Sequence, residues 1–368
     1  MNAPVNPTGT ESGEGARPLP GKALAASLRE GTRAAVEAAR KAGSAPKLAV
    51  VTATDDESSA WYVRSLVSAA EKSGLLHEVV HLGPKASTEE VRDALRGLGE
   101  DGSVHGVILQ TPLPPGVDAR ALAEAVPAAK DVDGANPLSL GRLAAGLAAF
   151  APATAEAVIA LLDHYEVPLR GARAVVVGRS TVVGKPLAHL LLARDATVTV
   201  CHSRTRDLVE VTREADILIA AAGQPGLVTA EHVRPGAIVI DVGTNPTPDG
   251  GLTGDVDPGA TRVAGALSPV PGGVGQVTTA VLLAHVVRAA QGTGIGGGPA
   301  GVREAVHLRS SLGSALRGGV FRRGPAMFHV KHRGGAKRRG GATDEPRTAS
   351  RGACGRAPEP PRRVVTCV

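Results

Sequence analysis

Aromatic side chains are nearly missing from this sequence of 368 residues, which holds three Phe, two Tyr and one Trp. Its cores must therefore be built from Ala, Val, Leu and Ile, and any aromatic residue inside a motif stands out. Cysteine is as scarce: Cys201, Cys354 and Cys367 are odd in number and fall at no metal-ligand spacing. That argues against a disulfide framework or a metal site and fits a reducing, cytoplasmic compartment. No run approaches the roughly 18 consecutive apolar residues needed to span a bilayer. Residues 1–18 read as a disordered lead-in, because no basic stretch followed by an apolar one is present to direct secretion. A soluble protein without a membrane partner is expected. Acidic residues are in slight deficit, 35 against 41 Lys and Arg, for a net charge of +6. Much of that excess lies among glycines after Gly301, so the folded part need not be basic, and nucleic-acid binding is discounted.

What the chain does have is length and aliphatic content, 43% hydrophobic residues over a span that suits two ordinary domains. Apolar residues recur at helical spacing over 22–41, and KLAVVTA at 47–53 is a short β-branched run of the kind buried in a parallel sheet. The alternation continues with a helix at 59–73, a strand at 77–82, a helix at 88–98 and a strand at 105–109. A second series begins near Pro152, with helices at 154–164, 185–194 and 208–215. Its strands fall at 174–177, 197–201, 217–221 and 237–242, and an apolar helix follows at 278–290. Such alternation predicts a two-domain α/β protein: a parallel-sheet domain over 19–150, joined by the returning helix at 278–291, and a doubly wound Rossmann-like domain over 151–277.

In the second series, the strand at 174–177 runs straight into GRSTVVGKP at 178–186 and then a helix. Glycines at such a turn let the backbone approach a pyrophosphate, which the helix N-terminus attracts with its unpaired N–H groups. Gly178, Arg179, Ser180 and Gly184 are the candidates, although Ser180 stands where the usual fingerprint has its second glycine. The next strand ends in CHSRT at 201–205 rather than in the carboxylate that binds a ribose 2′-hydroxyl. Ser203 and Arg204, with Arg179, offer instead a hydroxyl and cationic forks suited to a 2′-phosphate, so NADP is preferred over NAD. The structural alternative is that these arginines are solvated surface charge and the glycines a plain turn.

These runs carry a resemblance. GRSTVVGKP, CHSRT, the strand end DVG at 241–243 with Thr244 after it, GDV at 254–256 and PVPGGVG at 269–275 resemble the nucleotide half of the bifunctional methylenetetrahydrofolate dehydrogenase/cyclohydrolase (FolD) family. SAWYV at 59–63, QTPLP at 110–114, KDVDG at 130–134 and GRL at 141–143 resemble its folate half. The resemblance implies tetrahydrofolate derivatives as partners, NADP as cofactor, a homodimer, and a place in one-carbon metabolism feeding purine biosynthesis. It also implies a folate cleft. Asp133 would accept paired hydrogen bonds from the pterin, Tyr62 would stack on its rings, and Gln110 would reach it from a strand's carboxyl end. Read without the resemblance, Asp131 or Asp133 caps a turn, Tyr62 is a core aromatic and Gln110 a loop amide.

The chain also departs from that pattern. The family has a lysine four residues after the tyrosine, where it assists proton transfer, and here the position is Leu66. Arg64 and Lys72 lie on other parts of the helix. Alanines stand at 153, 155 and 157 where the family has a Cys-Thr-Pro-x-Gly segment, and Gln276 replaces a proline. Oxidation is thus expected to survive better than hydrolysis, because hydride transfer leans on orientation and hydrolysis on acid/base groups. Two other readings stay open: a dehydrogenase of a non-folate substrate, and a catalytically inactive folate or NADP binder.

From Gly292 onward glycine, arginine and proline dominate without periodicity, and a disordered tail over 292–368 is expected. Within it, MFHVKH at 327–332 can be encoded by ATGTTTCACGTGAAACAT, which is its own reverse complement and resembles a bacterial chromosome partition site. Translated intergenic DNA is one origin for such a tail.

Overall fold

A computed structural model describes residues 15–292. In chain order the elements are β1 (Arg17–Pro18), α1 (Lys22–Lys41), β2 (Lys47–Thr52), α2 (Glu57–Lys72), β3 (Leu76–His81), α3 (Thr88–Glu100), β4 (Gly106–Leu109), α4 (Ala119–Leu122) and α5 (Pro137–Ala144). There follow α6 (Ala153–His164), β5 (Arg173–Val177), α7 (Gly184–Leu192), β6 (Thr197–Cys201), α8 (Leu208–Thr212), β7 (Ile217–Ala220) and β8 (Ile238–Asp241). The chain continues through β9 (Asn245–Pro246), β10 (Leu252–Thr253) and β11 (Ala266–Leu267), and the described part closes with α9 (Val274–Ala290). Among the described residues no helix is long and apolar enough to cross a membrane.

Two parallel sheets organise these elements. The first has the order β3-β2-β4, and the second the order β1-β11-β8-β7-β5-β6. Both are covered on two faces, which is why the middles of their central strands are continuously apolar rather than alternating. Along β2, Leu48 and Val50 join one core cluster while Ala49 and Val51 join another. Along β5, Ala174 and Val176 point one way and Val175 and Val177 the other. In each sheet the chain steps to one side of its first long strand and then to the other, β3 then β4 around β2, and β6 then β7 around β5. Such reversals leave a crevice at the strands' carboxyl ends, where α/β proteins bind ligands. Helices α6 and α9 pack on each other, and α9 also packs on α1, so one apolar core runs beneath both sheets.

Several helix starts follow from short polar cues. The Asp56 side chain accepts from Ser59 N at 2.8 Å to begin α2, Ser87 and Glu90 form a reciprocal capping box at α3, and Asn136 caps α5 just before Pro137.

The structure differs from expectation at three places. Arg17 and Pro18, placed in the lead-in, pair with Ala266 and Leu267 as the edge of the second sheet. The closing helix begins at Val274 instead of 278, inside the glycine-rich run. Helix α8 ends at Thr212, short of the expected 215. The tail expected over 292–368, with the run at 327–332, lies outside the described residues apart from Gly292.

Candidate functional site

Between α1, α2 and the loops that follow β8 and β11 lies a cleft of about 430 Å³. Its lining includes Trp61, Tyr62 and Ser65 from α2, and Thr244, Leu252 and residues 269–275 from the second half of the chain. Tyr62 is half-buried, and burial, with the Asp133 carboxylate nearby, holds its phenol protonated well above the usual range. The start of α2 is tied to the end of β4 through one carbonyl, Thr111 O, which accepts from Ser59 Oγ at 3.2 Å and from Gln110 Nε2 at 2.6 Å. Tyr62 lies three residues after Ser59 on the same helix and lines the cleft. Gln110 is buried, and its own N–H donates to Val51 O at 2.8 Å, extending the ladder past the strand end.

The turn at 130–134 separates the two candidate carboxylates by role. Asp131 accepts from the N–H groups of Ala135 and Asn136, both at 2.9 Å, and from Ser139 Oγ at 2.8 Å. It is the structural cap, buried and yet held above the ordinary carboxylate range because desolvation outweighs those bonds. Asp133 accepts no hydrogen bond from the described residues. Burial first, and repulsion from Asp131 second, push its carboxyl up to about 7, against the pull of His285. Gly134 is required here: its φ is +65°, and a Cβ would stand 2.5 Å from Pro152 N. A carboxylate left open beside a tyrosine, at the end of a sheet, is suited to receive paired donors of a ligand.

Leu66 lies one turn after Tyr62 and is 1% exposed. It belongs to the core cluster with Val63, Ile108 and Val132, while Tyr62 packs against that cluster from the cleft side. The face of α2 that lines the cleft is Trp61, Tyr62, Ser65 and Ala69, so the fifth position of the turn has gone into the core.

At the nucleotide turn, Gly178 takes φ +137° and a Cβ on it would lie 2.0 Å from Ala221 O, where β5 and β7 diverge. Gly184 opens α7 close against the same turn, since a Cβ there would lie 2.1 Å from Gly178 O. The backbone is thus pressed together as a phosphate cradle requires. Ser180 has a structural task as well, its Oγ accepting from Val183 N at 3.1 Å. Arg179, Ser203 and Arg204 are exposed at the carboxyl ends of the neighbouring strands β5 and β6. Thr244 is half-buried on the cleft wall, where its Oγ1 donates to Val242 O at 3.4 Å.

Sequence reasoning missed what holds that wall. Asp241 accepts from the N–H groups of Gly243, Asp255 and Val256 at 2.9 to 3.0 Å, and burial nonetheless raises its carboxyl to about 6. Asp255 accepts from Ala222, Gly223 and Gln224 N–H groups and from Asn245 Nδ2, knitting four loops into one. Apart from Gly243, their partners are 10 to 33 residues away in sequence, so the DVG and GDV runs did not announce these contacts. Trp61 and Arg29 also line the cleft without having been singled out.

Comparison with known proteins places this geometry. Residues 19–133 match the family model for the tetrahydrofolate dehydrogenase/cyclohydrolase catalytic domain, and residues 152–293 match that for its NAD(P)-binding domain. The bifunctional protein FolD 1 of Rhodococcus jostii is 62% identical over 275 residues, covering 74% of this chain and 93% of the relative. That of Saccharopolyspora erythraea is 61% identical over 274 residues, with coverage of 74% and 93%. Among solved structures, the bifunctional FolD enzyme of Campylobacter jejuni superposes with a TM-score of 0.73 at 39% identity, covering 74% of this chain and 98% of that one. The Trypanosoma brucei dehydrogenase-cyclohydrolase, complexed with NADP cofactor and inhibitor, gives a TM-score of 0.72 at 36% identity, with coverage of 75% and 98%.

Proposed function

Because the chain belongs to the tetrahydrofolate dehydrogenase/cyclohydrolase family, we propose that it oxidises 5,10-methylenetetrahydrofolate to the 5,10-methenyl form with NADP, and that hydrolysis to 10-formyltetrahydrofolate, the family's second activity, runs slowly here. The observation that carries the reading is the single cleft whose walls come from Tyr62 on one side and from Thr244 and residues 269–275 on the other. A folate on the first wall and a nicotinamide on the second meet within one cavity.

Asp133 accepts the adjacent pterin donors and fixes the ring, Tyr62 stacks on it, and Gln110 contacts it from the end of β4. Gly178 and Gly184 admit a pyrophosphate to the start of α7, Ser180 keeps the turn closed, and Thr244 contacts the cofactor from the cleft wall. Arg179, Ser203 and Arg204 receive the 2′-phosphate. NADP, when bound, supplies the acceptor for the hydride that leaves the bridging methylene. The chain's residues contribute orientation and exclusion of water, for which no proton carrier is needed. Hydrolysis needs a group to move a proton and offset charge on a tetrahedral intermediate, and Leu66 offers neither. We place the protein in the cytoplasm, in one-carbon folate metabolism, as a homodimer. In support of the dimer, the outer edge strand β3 exposes the apolar Leu76 and Val79.

The test uses the full-length protein with NADP and 5,10-methylenetetrahydrofolate, followed by NADPH absorbance. NADPH formation dependent on both substrates is the expected result, and its absence at high protein concentration overturns the reading.

A further inference from the structure

Beneath the folate turn sits a charged cluster that the reaction as described does not use. His285, on α9, is 1% exposed in the middle of an otherwise apolar helix face. Its Nδ1 lies 2.7 Å from the carbonyl oxygen of Val132, the residue between Asp131 and Asp133. Its Nε2 lies 3.0 Å from Glu156 Oε2 on α6, and the other oxygen of Glu156 lies 3.5 Å from Arg288. The Phe150 ring contacts both cations, 5.1 Å from the imidazole and 5.3 Å from the guanidinium.

The hydrogen-bond geometry places an oxygen at each nitrogen of this ring. A backbone carbonyl can only accept, and an ionised carboxylate can only accept. Independently of the histidine, the Arg288 guanidinium, which stays protonated, lies 3.5 Å from Glu156 Oε1 and favours the carboxylate over the acid. Each ring nitrogen of His285 thus faces an oxygen that accepts, an arrangement that a doubly protonated ring satisfies at both ends. A neutral tautomer would leave a bare nitrogen pointed at an oxygen in a site that water does not reach.

That cation bears on Asp133. The groups facing Asp133 are Asp131 from its own turn, the Tyr62 phenol from α2 and His285 from α9. Glu156 and Arg288 stand on the far side of the imidazole. Lys130 is turned away, its Nζ donating to Asp101 O at 2.6 Å. Of the three facing groups, His285 alone favours the ionised carboxylate. Its bond to Val132 also grips the backbone of the turn from below.

We propose that His285 is a positioning residue of the folate site, a buried cation that holds the 130–134 turn through the Val132 carbonyl and keeps Asp133 negative to receive the pterin. The inference rests on Asp133 being the pterin acceptor.

The test is the pH dependence of KM for 5,10-methylenetetrahydrofolate in the wild type, His285→Asn and Asp133→Asn, with KM for NADP as the check on folding. Asparagine retains a donor for Val132 but no charge. The acid limb of the wild-type profile should move upward by about one pH unit in His285→Asn, raising KM for the folate about fivefold at neutral pH, with a smaller effect on kcat. Asp133→Asn should raise KM at every pH and flatten the profile. If Asp133→Asn flattens it while His285→Asn leaves the limb in place, the role of His285 is overturned and that of Asp133 stands. If Asp133→Asn matches the wild type, the reading of Asp133 falls and takes this inference with it. Should His285→Asn fail to fold, nitrogen-15 NMR of the wild-type imidazole decides: two protonated nitrogens at neutral pH support the proposal, and a neutral tautomer overturns it.

Discussion

Leu66→Lys introduces the side chain that the resemblance implies one turn after Tyr62, and the structure sets both its gain and its cost. Leu66 is 1% exposed and belongs to the same core cluster as Val63, Ile108 and Val132. Removing a buried leucine forfeits about 2 kcal/mol of apolar burial, of which the lysine stem recovers a part. The ammonium is the larger concern. Kept in the core it would have its pKa depressed by about 3 to 5 units, or roughly 4 to 7 kcal/mol against the charged form. Tyr62 packs against the same cluster from the cleft side, so a long side chain has a short route out beside the phenol. With the amine in the cleft, the loss falls to about 2 kcal/mol, or roughly 4 to 8 °C in melting temperature. The return is hydrolysis of the methenyl bridge, faster by about 10² to 10⁴, the usual worth of a positioned acid/base group. The assay follows disappearance of the methenyl chromophore above the buffer rate, with NADPH formation measured on the same sample. Leu66→Met, which keeps the volume, should leave both rates and the melting temperature close to wild type. A Leu66→Lys protein that melts as a folded unit, reduces NADP and shows no faster hydrolysis refutes the reasoning.

Replacing Arg179 and Arg204 together by Ala should weaken NADP by a few kcal/mol at most while leaving NAD affinity near its starting value, since exposed charge-assisted bonds to the 2′-phosphate are what is lost; titration calorimetry with both nucleotides reads the difference. Asp133 has a carboxyl at about 7, above its unfolded value of 3.8, so the folded state is penalised for ionising it as pH rises through that value. Asp133→Asn should therefore raise the melting temperature more at pH 8 than at pH 5.5 even as it removes folate affinity, and an equal effect at both would show that the carboxyl is not withdrawn from water. Leu76→Asp with Val79→Asp should convert a dimer to a monomer on sedimentation, and an unchanged dimer would place the interface elsewhere than β3.

Much of this architecture could be read from the chain because its strands are β-branched runs in sheets covered on both faces. KLAVVTA and the four strands around the nucleotide turn announce themselves by continuous apolarity, and the helices between them by their period. What escaped notice was held by distant partners. β1 is only Arg17 and Pro18, with no propensity of its own, and becomes a strand because β11 offers it a ladder some 250 residues later. The start of α9 was hidden because Val274 and Gly275 look like loop. At the site, the motifs located Tyr62, Gln110 and the KDVDG turn but could not divide the work between Asp131 and Asp133, which depends on which carboxylate meets the N–H groups at 135 and 136. Nothing in the sequence marked Leu66 as a core residue, since one helical turn brings a side chain to either the cleft or the core depending on rotation. His285 gave no sign in an apolar run, because Glu156 and Val132 lie 129 and 153 residues away.

The central claim is an enzyme that oxidises the folate bridge well and hydrolyses it poorly. The most direct measurement is a single wild-type progress curve with NADP and 5,10-methylenetetrahydrofolate, recording NADPH and the methenyl form together. Methenyltetrahydrofolate should accumulate nearly in step with NADPH and decay at little more than its rate in buffer. Formation of 10-formyltetrahydrofolate in step with NADPH, with no methenyl build-up, would contradict it.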